Sequence, residues 1–411
     1  MSDQAPEHRE IPKAQGSSRG AARPTHSNRL TIDPALLERV NGALEAIRAG
    51  KMIILVDDED RENEGDLVMA AERVTPESVN FMAKFGRGLI CLTLTEEQVD
   101  RLELPLMSAP GRHGPPLGTA FTVSIEARTG VTSGISAADR ARTVRVAVDP
   151  QAKPGDLVTP GHVFPLRAKR GGVLVRTGHT EGSVDLAELA GLTPAGVICE
   201  IMNDDGTMAR MPDLEAFAKT HDLRLLTIAD LIQYRLQTER LVKRASEATL
   251  KLDATGTEWL VVAFDIVGEG RQFLALVKGD VAGGAAVLAR IHTGSLLGDV
   301  FASTPSDGGA NLRESLRMIE AEGRGIVLYI PPRGDLLAEL ERRLPSAKVA
   351  ERPSKPMLNV APLREFGLGA QVLAELGILE LRLLSNSQTK IAGLDGFGLK
   401  IVERIPIVAK D

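Results

Sequence analysis

The chain has 411 residues, 43% of them hydrophobic and 25% charged, with a formal net charge of -6. That length is too great for one ordinary core and gives two domains as the natural expectation. The acidic balance leaves no basic footprint for nucleic acid, no apolar run reaches the length of a membrane span, and two cysteines are too few for a disulfide framework.

Residues 1–29 are rich in Ser, Arg, Pro, Gly and Ala, lack apolar periodicity and are expected to be a disordered tail. They contain no apolar core like that of a secretory signal, so the cytoplasm is the default location. Asp33-Pro34 then sets an N-cap and a first-turn proline, and Leu37, Val40, Leu44 and Ile47 follow at helical spacing up to Gly50. Met52–Val56 reads as a buried strand. Thr75-Pro76 opens another helix, and Thr95-Glu96-Glu97-Gln98 is a capping box. Strands are expected at 119–126, 144–148 and Gly172–Val175, then helices at 212–219 and 227–235 around a strand at 223–226. Helices and strands alternate irregularly between long Gly/Pro-rich loops, which points to an α+β domain of three-layer α/β/α type.

The charged stretch 237–257 reads as a linker between a first domain, 30–236, and a second α/β domain, 258–411. Trp259–Phe264 is the first strand of that second domain. Further strands are expected at 273–277, 325–330 and 379–384, with helices at 309–322 and 367–376. No repeat relates the two halves. Cys91 and Cys199 lie in apolar contexts and read as buried, reduced thiols.

Two stretches carry chemistry. Asp57–Asp66 holds seven carboxylates in ten residues directly after a core strand. Such mutual repulsion is relieved by a hard cation, which prefers carboxylate and water oxygens; a solvated acidic loop is the alternative. Arg176-Thr177-Gly178-His179-Thr180-Glu181 follows an apolar run. Arg offers a fork of donors for phosphate, Thr a hydroxyl, and His a metal ligand or proton shuttle, against a purely structural histidine. Gly65, Gly171 and Gly172 read as turn glycines. On the residues alone this is a metal-assisted acid/base enzyme acting on a phosphorylated substrate.

These stretches resemble the 3,4-dihydroxy-2-butanone 4-phosphate synthase family of riboflavin biosynthesis. So do Gly130–Arg140, Pro160–Arg167, Gly178–Glu181, and Glu200 with Asn203–Arg210, in unbroken order over roughly residues 33–235. The resemblance implies conversion of ribulose 5-phosphate to 3,4-dihydroxy-2-butanone 4-phosphate and formate, assisted by Mg²⁺ or Mn²⁺, in a homodimer. It implies Glu62 and His179 as metal ligands, and His162 and Glu200 as an essential catalytic pair, with Glu64 as a further proton carrier. Arg61, Glu62, Asp66, Arg176, Thr177, Gly178, His179, Thr180 and Glu200 are the implied substrate contacts.

The second half resembles GTP cyclohydrolase II at Arg290–Thr293, Gly298–Phe301, Glu322–Gly325, Arg364–Gly367, Gly369–Leu373 and Lys390–Leu394. The family's three zinc-binding cysteines stand here as Ser295, Ser306 and Gly308, its phosphate segment as Pro331–Asp335, and its catalytic Asp as Pro362. The resemblance therefore implies the fold without Zn²⁺ or cyclohydrolase activity, since a neutral hydroxyl and a glycine are poor replacements for thiolates. Two alternatives are a bifunctional enzyme that also hydrolyses GTP and a nucleotide-sensing regulatory module, using Ser385 and Lys390.

Overall fold

The computed structural model describes residues 33–58, 61–107, 119–268, 270–301, 308–332, 339–340, 360–386 and 399–408. The expected tail lies outside these. Asp33 caps α1 (Pro34–Arg48) by accepting from the Ala35 backbone at 3.0 Å. The stripe Leu36, Val40, Leu44 and Ile47 on that helix is buried, and trimming the fully buried Leu36 to Ala costs about 2–5 kcal/mol.

Seven strands build the first sheet, in the order β4 (Ile125–Ala127), β5 (Leu157–Arg167), β3 (Cys91–Leu94), β6 (Ala195–Glu200), β2 (Gly65–Ala70), β1 (Ile53–Val56) and β7 (Arg224–Thr227). Only β1–β7 and β3–β5 are parallel. Side chains alternate across the sheet. On one face Ile53, Leu55, Val68 and Ile198 pack with α1, α5 (His179–Leu189) and α7 (Ile228–Thr238). On the other, Ile54, Leu67, Leu92 and Val197 meet Val79 of α2 (Pro76–Phe81), Val144 of α4 (Ala137–Val148) and Leu214 of α6 (Met211–His221). The expected three-layer arrangement is therefore present. The capping box at Thr95 and Gln98 opens α3 (Glu96–Arg101).

A second seven-stranded sheet runs β14 (Lys400–Ile405), β13 (Glu380–Leu384), β11 (Val287–Thr293), β12 (Gly325–Ile330), β10 (Arg271–Lys278), β9 (Thr257–Ile266) and β8 (Val242–Leu252). Leu316 and Ile319 of α8 (Gly308–Glu322) cover Trp259, Leu288 and Val327 on one face. Leu368, Val372 and Leu373 of α9 (Val360–Glu375) cover Phe264, Phe273 and Leu328 on the other. Helix α9 also packs on α7, so one apolar cluster runs without a break from the first half into the second. Gln371 of α9 is buried there; its amide donates to the carbonyls of Leu236 (2.6 Å) and Glu239 (2.9 Å) and accepts from the Leu241 backbone (2.9 Å).

Four stretches differ from expectation. Residues 144–148 are the end of α4, whose buried Ala141, Val144, Ala147 and Val148 follow helical spacing behind the Ser136 cap. Gly172–Leu174 is a 3₁₀ turn; Gly171 and Gly172 have φ of 92° and 63°, outside extended geometry. The charged stretch before Trp259 is no free linker: Val242–Leu252 pairs with β9 throughout, save for a bulge at Ala245. It forms the sheet's outer edge, where exposed charge guards against unwanted pairing and disguises a strand as a connector. Of 119–126, only the end enters a named strand.

Candidate active site

Strands β1 and β2 pair antiparallel, so the acidic run is the loop of a hairpin. It folds back over its own first residue. Buried Asp57 accepts from the Glu64 backbone at 2.8 Å, the Glu62 backbone at 3.3 Å and Arg61 Nη1 at 2.6 Å. Arg61, whose side chain is 4% exposed, also contacts the Glu62 carboxylate. It thus lies inside the loop as an internal counter-ion. Asn63 takes the left-handed conformation (φ 54°) that lets the loop close. Arg210 donates to the Glu62 carbonyl at 2.6 Å and to that of Asn63.

His179 is the first residue of α5, and Gly178 caps that helix without a side chain. Ligand atoms of Asp57, Glu62 and His179 lie within 4.8 Å of one another. Asp57 was not singled out from the sequence, although the acidic run contains it. His179 Nε2 and Asp66 Oδ1 are buried without hydrogen-bond partners, and His179 Nδ1 stands 3.7 Å from Asp66 Oδ1. Burial pushes the imidazole down to about 4, against the pull of Asp57, so it is neutral and has a lone pair to offer. Burial, then Glu200 and the loop acids, hold Asp66 well above the usual carboxylate range. Glu64 is raised by burial and Glu62, with Arg210 opposing. Orphaned buried acceptors among crowded acids fit a divalent cation with oxygen and imidazole ligands.

Arg176 and the first turn of α5 form the adjoining corner. Arg176 donates to Glu181 at 2.6 Å and to Thr119 at 3.0 Å. Glu181 is itself raised by burial, with Arg176 pulling it down. Thr177 and Thr180 are buried, and Thr177 Oγ1 has no partner. An Arg fork, hydroxyls and a helix N-terminus together make an anion seat.

Asp66 pairs in register with Glu200, and two residues outward from the Cys91–Phe164 and Cys91–Ile198 pairs the same row reaches Leu89 and His162. Asp66, Glu200 and His162 therefore share the sheet face that carries α5. Glu200 Oε2 accepts from the Leu89 backbone at 2.8 Å, and a Cβ at Gly88 would lie 2.5 Å from that oxygen. The direct partner of His162 is Glu126, at 2.6 Å, a residue with no sequence signal. Cys91 and Cys199 are buried, and burial pushes both thiols up, away from reactivity.

In the second half Ser295 is buried. Its hydroxyl donates to Glu339 at 2.5 Å and accepts from the Gly298 backbone at 2.9 Å. A Cβ at Gly309 would lie 2.6 Å from the Gly298 carbonyl, so the start of α8 closes directly on this turn. His292 bonds Asp299 at 3.0 Å. Ser306, residues 333–335, the Pro362 side chain and Lys390 lie outside what the structure describes.

Comparison with known proteins agrees with this division. Residues 41–234 match the family model for 3,4-dihydroxy-2-butanone 4-phosphate synthase, and residues 243–406 that for GTP cyclohydrolase II. The riboflavin biosynthesis protein RibBA of Aquifex aeolicus is 50% identical over 90% of this chain and 92% of its own length. A probable bifunctional chloroplastic riboflavin biosynthesis protein of rice is 43% identical over 90% of this chain and 68% of its own. The crystal structure of RibBX, a two-domain 3,4-dihydroxy-2-butanone 4-phosphate synthase from A. baumannii, superposes with a TM-score of 0.71 at 39% identity, covering 90% of this chain and all of that one. With an acidic hairpin facing a helix that opens on histidine, and a cyclohydrolase-like sheet behind it, this chain belongs to the riboflavin-biosynthesis family that joins a 3,4-dihydroxy-2-butanone 4-phosphate synthase to a GTP cyclohydrolase II domain. Its first half is the synthase. Among the described residues, no helix is long and apolar enough to cross a membrane.

Proposed function

We propose that this chain converts ribulose 5-phosphate to 3,4-dihydroxy-2-butanone 4-phosphate and formate with Mg²⁺ or Mn²⁺, as a homodimer, and that its second half does not open the ring of GTP. The observation that carries the first part is the pair of buried, unpartnered atoms, His179 Nε2 and Asp66 Oδ1, beside the Asp57, Glu62 and His179 cluster. Glu62 and His179, with Asp57, would hold the ion, which when bound polarises sugar oxygens and stabilises charge developing on them.

The remaining work falls to the chain's own groups. Arg176, Thr177, Thr180 and the first turn of α5 seat the phosphate. Asp66 and Glu64, raised towards neutrality, can accept or donate protons to the carbon chain. Glu200, held by the Leu89 backbone, and His162, held by Glu126, stand on the same row as further acid/base groups. Arg61 acts mainly by neutralising the loop from inside.

Against a zinc site stand Gly308, with no side chain, and Ser295, whose hydroxyl is already engaged by Glu339 and Gly298. A second reading, a bifunctional enzyme, draws on the naming of the rice relative. Assaying both reactions on one purified sample, with and without EDTA, separates them. Full synthase activity in EDTA would sink the metal role, and GTP-dependent formate release would sink the inactive second half. A monomeric mass by light scattering with activity retained would sink the dimer.

A further inference from the structure

We infer that Gln371, in the cyclohydrolase-like half, is a positioning residue for the synthase site, acting through α7 on the loop and helix that carry Arg176 and His179. This rests on the reading of His179 and Arg176 given above. The path is a run of short polar contacts through a buried junction.

Gln371 binds the end of α7 and the residues just beyond it at three backbone points: the Leu236 and Glu239 carbonyls and the Leu241 N–H. Helix C-termini leave carbonyls without intrahelical partners, and here a side chain from 135 residues away supplies one, to Leu236. Glu239, fixed by that contact, grips Arg235 with both carboxylate oxygens, at 2.6 and 2.9 Å. The remaining arm of Arg235 reaches the synthase core. Its Nη1 donates to Asp185 of α5 at 2.7 Å and to the Gly171 carbonyl at 3.1 Å. Asp185 in turn accepts from the Val173 backbone at 2.8 Å, and a Cβ at Gly172 would lie 1.9 Å from its Oδ1.

One guanidinium thus pins both the turn 171–173, which leads into Arg176, and the helix whose first residue is His179. The same turn meets the second half directly, since Gly268, between β9 and β10, lies against Gly171, with a Cβ at Gly268 only 3.3 Å from the Gly171 Cα. The exposed ion pair of Arg240 and Glu375 also bridges the halves, and because the Arg240 guanidinium bonds Glu375 rather than a group on this path, it is the natural control.

The experiment uses the full chain. Gln371→Leu keeps bulk and removes all three hydrogen bonds. Hydrogen exchange, Mn²⁺ binding without substrate, and synthase kcat and KM are measured for wild type, Gln371→Leu, Asp185→Asn, their double variant and Arg240→Ala. Faster exchange at residues 236–241 and also at 171–182 is expected in Gln371→Leu, with Mn²⁺ affinity and kcat reduced about two- to thirtyfold. Asp185→Asn should loosen the same segment, the double variant should lose less than the sum, and Arg240→Ala should leave 171–182 unchanged. Exchange that rises only at 236–241, with kcat unaltered, overturns the proposal, as does an equal effect from Arg240→Ala. Should Gln371→Leu not fold, Asp185→Asn and Arg235→Lys read the same segment, and unchanged exchange at 171–182 in both overturns it equally. Wild type that binds no Mn²⁺ would refute the metal reading alone, because exchange at 171–182 still reports the coupling.

Discussion

The His162 imidazole meets the Glu126 carboxylate at 2.6 Å, between Nδ1 and Oε2. A carboxylate on Nδ1 fixes the ring's orientation and tautomer and leaves Nε2 as the working nitrogen. His162 is 43% exposed at its side chain, so this one contact does most of the orienting. Glu126→Gln should therefore lower kcat about 10- to 100-fold with little change in KM and a normal fold by circular dichroism. Unchanged turnover would mean that His162 is oriented by something else.

Glu62→Gln and His179→Ala should each reduce synthase turnover by about 10² or more, because each loses a ligand and Glu62→Gln a charge besides. Mn²⁺ binding, followed directly, should weaken in parallel. Near-normal binding in either variant would remove that residue from the ligand set.

The metal-free protein should be acid-labile through His179. Its folded value is about 4 against an ordinary 6.5. The stability carried by the neutral imidazole is complete above about 6.5 and is lost as pH falls towards 4, because the unfolded chain takes up the proton first. Asp66, Glu64 and Glu181 are shifted upwards and act in the opposite sense, so the test is a difference. In EDTA, His179→Gln should gain on wild type by about 3 kcal/mol between pH 7 and pH 4. A difference independent of pH in urea unfolding would show that the imidazole is not held neutral.

Purified protein should carry no stoichiometric zinc, and GTP should release no formate. Restoring cysteine at 295, 306 and 308 together should not recover activity, since Pro362 and the Pro331–Asp335 segment would remain. Zinc near one per chain, with GTP-dependent formate abolished by Arg364→Ala, would establish a working cyclohydrolase.

Much of this architecture was legible locally. Asp33 with Pro34, and Thr95 with Gln98, announce helix starts because their partners lie two or three residues away. The acidic run and the Arg176–Glu181 stretch are legible because their chemistry is concentrated in a few consecutive positions. What stayed hidden depends on distance or context. Val144–Val148 alternates like a strand, and only Ala141 before it, one turn from Val144, with Ala147 and Val148, reveals a helix face. Strand β8 is exposed at nearly every position and shows no buried apolar face, so nothing but its pairing with β9 identifies it. Glu126 and Gln371 act on residues 36 and 130 positions away, and no local pattern marks either.

The apolar cluster that runs from α1 through α7 and α9 to Phe264 and Phe273 has a thermal consequence. Two halves with separate interiors would melt in two steps. Halves sharing one interior should melt together, in a single calorimetric transition whose enthalpy reflects the whole chain. A cation or substrate bound near His179, as proposed above, should then raise the melting temperature of β9 and β10 as well, because mass action on one part of a cooperative unit acts on all of it. A packing lesion at Phe273 correspondingly shortens the working life of a catalytic centre in the other half.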